Sequence, residues 1–230
     1  MKKLIRNPAP ACLSRFRHGR DNWSVICENS LTDEIWAQLN GMQHGYCAYC
    51  ECKLDDNNSK RHIEHFLRKE SYSHLTFDWG NLFGSCNNPN RCGKFKDNSS
   101  AARGIDLNRV CKPDGGSPIA EDLLIFLSDG DVKVRIGLSD EDTEIAHNTI
   151  NVFNLAGDTS LVNARKAVII GEKSLSDKYW EMVNSDDDDD DDLIELLREE
   201  YQEAMSRVAS SEFSTALKHI WKYNNSIKGV

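Results

Sequence analysis

The sequence predicts an α+β protein that is mainly helical. Three observations carry this. Residues 46–96 concentrate cysteine and histidine between short strand-like runs and Asn- and Gly-rich turns. Leu123 to Leu127 and Val132 to Leu138 flank Ser128-Asp129-Gly130-Asp131, the pattern of a β-hairpin. From residue 140 onward, apolar residues recur at helical spacing. With 230 residues the chain is long enough for a real core and for one or two domains.

Taken in order, residues 1–22 hold Pro8, Pro10 and the cations Arg6, Arg15, Arg17 and Arg20, and read as an irregular basic arm. Thr32-Asp33-Glu34 opens a helix, with Thr32 as N-cap and acids in the first turn. Ile35, Trp36, Leu39 and Met42 share one face, and Gly45 stops it. Residues 1–45 thus form an arm and helix, 46–118 a cysteine-rich core ending in a loop-rich stretch, and 119–230 the hairpin plus a helical region. In that last region helices are expected over about 140–153, capped by Ser139 or Asp140, and over about 159–183. An Asp-rich linker, 185–192, precedes an amphipathic helix from Leu193, and a last helix covers about 211–224. Trp180 and Trp221 read as core of this region rather than as docking aromatics. Asp186 to Asp192 reads as a solvated, self-repelling linker. The sharper alternative is a nucleic-acid mimic covering a basic site.

The formal net charge is -9, which alone argues against a nucleic-acid binder. The distribution changes that. Up to Cys111 there are 16 Lys and Arg against 12 Asp and Glu; the remainder has 12 against 25. All eight cysteines lie in the mildly basic part. Asn7-Pro8-Ala9-Pro10 interrupts the basic start before any apolar run develops, and no run approaches the roughly 18 residues of a membrane span. A cytoplasmic, reducing location and no membrane contact are expected, and there clustered cysteines read first as metal ligands.

Cys47-Ala48-Tyr49-Cys50 is a CxxC, and Cys86 and Cys92 form a second, looser pair. Two thiolate pairs from two turns suit one tetrahedral structural zinc. Cys52 is the rival of Cys50; Cys12, Cys27 and Cys111 read as bystanders. Between the pairs lies His62-Ile63-Glu64-His65-Phe66, followed by Arg68 and Lys69, and Asn81 comes 16 residues after His65. A carboxylate beside a histidine offers a hard metal ligand and a neighbouring base, and Asn81 adds an amide oxygen. Phosphodiester hydrolysis uses this set. Arg68 and Lys69 could position a phosphate.

Cys47-x-x-Cys50, Glu64-His65, Asn81, Cys86 to Cys92 and Lys96 in this order resemble the zinc-containing branch of the HNH endonuclease superfamily, with its ββα-metal core. The strings CAYCE, HIEHF, LTFDWGNLFGSC and CGKFK are similar to the nuclease subunit of Septu anti-phage systems and of related retron defence systems. The resemblance is strong over about residues 46–96, weaker at the N-terminal arm and at His147-Asn148-Thr149-Ile150 with Asn154-Leu155, and absent over the Asp-rich tail. It implies that His65 is the general base, that Glu64 and Asn81 bind a catalytic Mg²⁺ or Mn²⁺, and that Lys96, with Arg68 and Lys69, meets the substrate. It also implies an ABC-like ATPase partner, a nucleic-acid substrate and, in the retron case, retron RNA or DNA. One position departs. Many relatives carry a metal-binding His directly after the last cysteine, where this chain has Gly93. Water, phosphate, or another side chain such as His62 or Asp78 would then complete the shell, and His62 is the second catalytic candidate. The leading expectation is DNA cleavage in an anti-phage complex; the alternatives are structured RNA such as tRNA, or a non-catalytic zinc-knuckle recruitment module.

Overall fold

Leu31, Trp36 and their neighbours show how the chain starts. A computed structural model describes residues 1–55, 60–185 and 191–223, the side chains of 184–185 and 191–193 aside. A short helix α1 (Ser24–Glu28) turns through Ser30, at φ 55°, into α2 (Thr32–Gln43). Ile35, Trp36, Leu39 and Met42 form its buried face, as their spacing predicts. Thr32 does not cap it. Leu31 occupies the N-cap, its N–H tied back to Ile26, so Thr32 already lies inside the first turn. The helix ends in left-handed geometry at His44, φ 55°, and Gly45, φ 78°.

Apart from a 3₁₀ helix over Ala11–Arg15 the arm is irregular, but it is not loose. Met1, Leu4, Cys12 and Leu13 are buried. Arg6 lies 4.5 Å from the Phe83 ring centroid and 5.0 Å from that of Trp79, and donates to the Leu82 carbonyl at 3.1 Å. A cation over two rings and on a strand carbonyl straps the arm across the core.

That core is an antiparallel pair. β1 (Arg61–His65) faces β2 (Leu82–Cys86), with Glu64 opposite Phe83 and His65 opposite Leu82. β2 is buried throughout, and α3 (Cys92–Asn98) follows it. Short helices α4 (Ser100–Arg103) and α5 (Ala120–Leu123) lead to the hairpin β3 (Leu124–Phe126) and β4 (Val132–Val134). The hairpin is shorter than its sequence pattern. Its turn holds Gly130 at φ 87°, where a side chain would overlap the Val162 carbonyl.

The helical region follows as predicted. α6 (Asp140–Val152) is capped by Ser139, which accepts from the Asp142 N–H at 3.1 Å. α7 (Thr159–Ser185), α8 (Asp191–Ala209) and α9 (Ser214–Tyr223) complete the chain, and α9 packs on both α7 and α8. Trp221 is 1% exposed and belongs to the interior; Trp180, half-buried, packs against the core and donates to the Trp221 carbonyl at 3.0 Å. Of the linker expected over 185–192, Ser185 instead ends α7 and Asp191 and Asp192 open α8, while 186–190 lie outside the described residues. One buried apolar cluster runs from Met1 through the β1–β2 pair to Trp221. No helix among the described residues is long and apolar enough to cross a membrane.

Candidate functional site

Two turns bring the thiols together. The first is closed by Cys47 N–H to the Cys52 carbonyl at 2.9 Å and held against β2 by Ala48 N–H to the Gly84 carbonyl at 3.0 Å. The second leaves β2 at Cys86 and re-enters at Cys92, which has φ 56° and donates its N–H to the Phe153 carbonyl at 2.9 Å. Cys47, Cys50, Cys86 and Cys92 are all buried, and their sulfurs lie within 4.8 Å of one another. A zinc at about 2.3 Å from each sulfur would set them about 3.8 Å apart, so this donor set fits a structural zinc. Cys52 Sγ is 3.3 Å from Cys50 Sγ but is only half-buried and outside the mutual group of four. Cys12 and Cys111 are buried elsewhere and Cys27 is exposed. Tyr49 stacks on Phe153 at 4.1 Å, fixing the knuckle to the helical region.

Glu51, inside the first turn, makes a second tie. Its Oε1 takes the Met1 ammonium at 2.8 Å, and its Oε2 accepts from Ser214 Oγ at 3.0 Å and Thr215 N–H at 2.8 Å. Burial pushes its pKa up, but the ammonium and these donors prevail and hold it at about 2.

His65 ends β1. It is 5% exposed, and its Nε2 lies 2.9 Å from the Thr76 carbonyl. A carbonyl only accepts, so Nε2 carries the proton and Nδ1 keeps its lone pair in the neutral ring. Burial, with Lys69 pushing the same way, lowers its pKa to about 4 despite that hydrogen bond. The ring is therefore neutral at pH 7. Trp23 packs edge-on against it, centroids 4.6 Å apart. Asn81 is buried too. Its Oδ1 accepts from the Leu67 N–H at 2.7 Å and its Nδ2 donates to the Leu67 carbonyl at 3.0 Å, which closes the loop carrying Thr76 back onto the end of β1.

Glu64 points into a buried network. Oε1 lies 2.8 Å from Lys96 Nζ and Oε2 lies 2.9 Å from His62 Nε2. Burial raises its pKa, but Lys96 and His62 outweigh that, and it lies below the ordinary value. Lys96 has no exposed side-chain surface and also meets Asp97. Gly93 belongs to the same knot: a Cβ there would overlap the Glu64 carboxylate. This is why no side chain stands at that position.

The sequence-predicted residues thus separate. Cys47, Cys50, Cys86 and Cys92 meet; Glu64, His62 and Lys96 meet; His65 and Asn81 share one loop. Lys69 is exposed. Arg68 and Lys96 turn inward, Arg68 onto the carbonyls of Lys96 and Ala102, each at 2.9 Å. Neither is offered to a substrate. For Mg²⁺ or Mn²⁺ the arrangement does not fit. Both Glu64 oxygens face internal cations or donors, the Asn81 amide closes a loop, and among the described residues only the four thiols form a group of three or more His, Cys, Asp or Glu ligands. Trp23, which packs on His65, was not legible, because nothing in its local sequence ties it to β1.

A mainly helical α+β chain with small antiparallel sheets and four buried cysteines that could bind a metal ion such as zinc is the class that these features define. Over 84 residues the chain is 43% identical to the Septu protein PtuB of Bacillus thuringiensis, a match covering 36% of this chain and 30% of that protein. Over that stretch the chain is similar to a Septu protein, and the stretch spans under a third of that relative's length. No family model matches.

Proposed function

We propose that the chain is a nuclease component of a Septu-type anti-phage defence system, hydrolysing phosphodiester bonds with His65 as general base. The observation that supports this best is the His65 tautomer. Thr76 accepts the Nε2 proton, burial keeps the ring uncharged, and a lone pair is left at Nδ1 to take a proton from water. Asn81 positions that ring by holding its loop; Lys69 is the cation nearest in role to a phosphate contact. DNA is the expected substrate, and an ABC-like ATPase the expected partner, on the strength of the Septu likeness. Structural zinc would sit on the four thiols and hold β2 to the knuckle; no chemical step passes through it.

A second reading has its own support. Glu64 is engaged by Lys96 and His62, so an open oxygen shell is missing, and this favours a non-catalytic zinc-knuckle module that recruits nucleic acid or protein. Sequencing the ends of cellular DNA and tRNA after expression, with and without His65→Ala, separates the readings. New ends that need His65 support the nuclease and name its substrate. Identical end profiles in both strains support the recruitment module.

A further inference from the structure

A cationic recess lies over His65, on the side formed by the arm. A groove of about 810 Å³ runs between residues 18–24 and the segment from Lys69 to Thr76. Its walls include His18, Arg20, Trp23, Lys69 and Thr76. Two of these touch His65 directly: Trp23 through its ring and Thr76 through its carbonyl. His65 therefore lies beneath the groove floor. The cations are the right kind for phosphate. Lys69 makes no ion pair among the described residues, and its charge is felt by His65. Arg20 is 61% exposed at its side chain and shares only part of its five-donor fork with Asp21 and the Arg15 carbonyl. Asp21 is the single carboxylate in the wall, and Arg20 already balances it. The half-buried Trp23 indole adds an aromatic surface among these cations. Cations alternating with an aromatic are what a polynucleotide strand requires: charge for the backbone and a ring for a base.

Resting on the nuclease reading of His65, we propose that this groove binds a single polynucleotide strand, with Arg20 and Lys69 on its phosphates and Trp23 against a base. The arm is then part of the substrate site rather than only a strap on the core.

The test is binding, read apart from cleavage. The full-length chain with His65→Gln, zinc-loaded, is titrated against fluorescein-labelled 20-mer DNA and RNA strands by anisotropy between 50 and 200 mM salt. Adding Arg20→Glu and Lys69→Glu should raise Kd on the order of tenfold and lower the salt slope by about two. Trp23→Ala should weaken strand binding by about fivefold or more. Lys133→Glu with Lys166→Glu, the same change in net charge at exposed positions away from the groove, should leave Kd unchanged. Circular dichroism and zinc content confirm that each variant is folded. Binding of either strand in this pattern supports the groove, and the tighter strand names the sugar. No binding by the parent, equal loss in the Lys133/Lys166 control, or no loss in the Arg20/Lys69 variant would overturn it. A wild-type chain that binds through the groove yet never cuts would remove the nuclease reading and leave the groove standing.

Discussion

Gly93 lies against the Glu64 carboxylate so closely that a β-carbon there would overlap it. The contact couples the first turn of α3 to the penultimate residue of β1. It predicts that Gly93→Ala destabilises the fold by about 1–3 kcal/mol, as overpacking a buried site does. Glu64→Asp withdraws the carboxylate by one methylene and should recover part of the loss. Urea denaturation of the two single variants and the double gives the coupling; additive losses would separate the two positions.

Lys96 is the internal counter-charge of Glu64. Lys96→Met leaves a buried carboxylate with His62 alone and should cost roughly 3–5 kcal/mol. Lys96→Met with Glu64→Gln removes both charges and should be clearly more stable than Lys96→Met alone. The same denaturation series reads this. A neutral Lys96→Met would place its ammonium in solvent, contrary to its full burial.

The four thiols predict one zinc per chain. Cys47→Ser or Cys92→Ser should lose it, and Cys52→Ser should keep it, because Cys52 lies outside the group of four. Metal content by plasma mass spectrometry of the purified variants decides this. Retention of zinc by Cys50→Ser together with its loss in Cys52→Ser would move the site from Cys50 to its neighbouring thiol.

Stability should fall as pH drops from about 6.5 toward 4. His65 and His219 are both held near 4 by burial. Each is neutral in the fold and protonates in the unfolded chain near the ordinary value of about 6.5. The unfolded state therefore binds more protons in this window, and acid favours it. His219 is fully buried, accepts the Phe126 N–H at Nδ1 and leaves Nε2 without a hydrogen-bond partner among the described residues; the Met1 ammonium and Lys222 oppose its protonation, Glu121 and Glu51 favour it. His219→Gln should lower the proton uptake on unfolding between pH 4 and 6.5 from about two toward about one. Denaturation at a series of pH values measures it; an unchanged slope would place the titrating group elsewhere.

Much of this was legible in the sequence. The CxxC and its distant partner pair come from turns, and turns have local signatures. The helical faces of α2 and α6 to α9 repeat with a period that propensity and burial both support. The direction of single side chains was not legible. Arg68 and Lys96 carry the same charge as Lys69, but only tertiary register decides that two of them turn inward. The sequence reads the arm as irregular, and it is so apart from one 3₁₀ helix over Ala11–Arg15. Its attachment through Arg6 to Trp79 and Phe83, and through Trp23 to His65, depends on contacts between distant segments that no local pattern encodes. Gly93 read as a missing ligand; it is better described as the space that Glu64 fills.

Cleavage itself tests the central claim most directly. Zinc-loaded wild-type chain and His65→Gln, matched by circular dichroism, are incubated with supercoiled plasmid and with total tRNA, with Mg²⁺, with Mn²⁺ and with chelator. Removal of the general base should lower the wild-type rate on one of these substrates by about a hundredfold or more. Cutting by His65→Gln at the wild-type rate would contradict the assignment of His65 as the base.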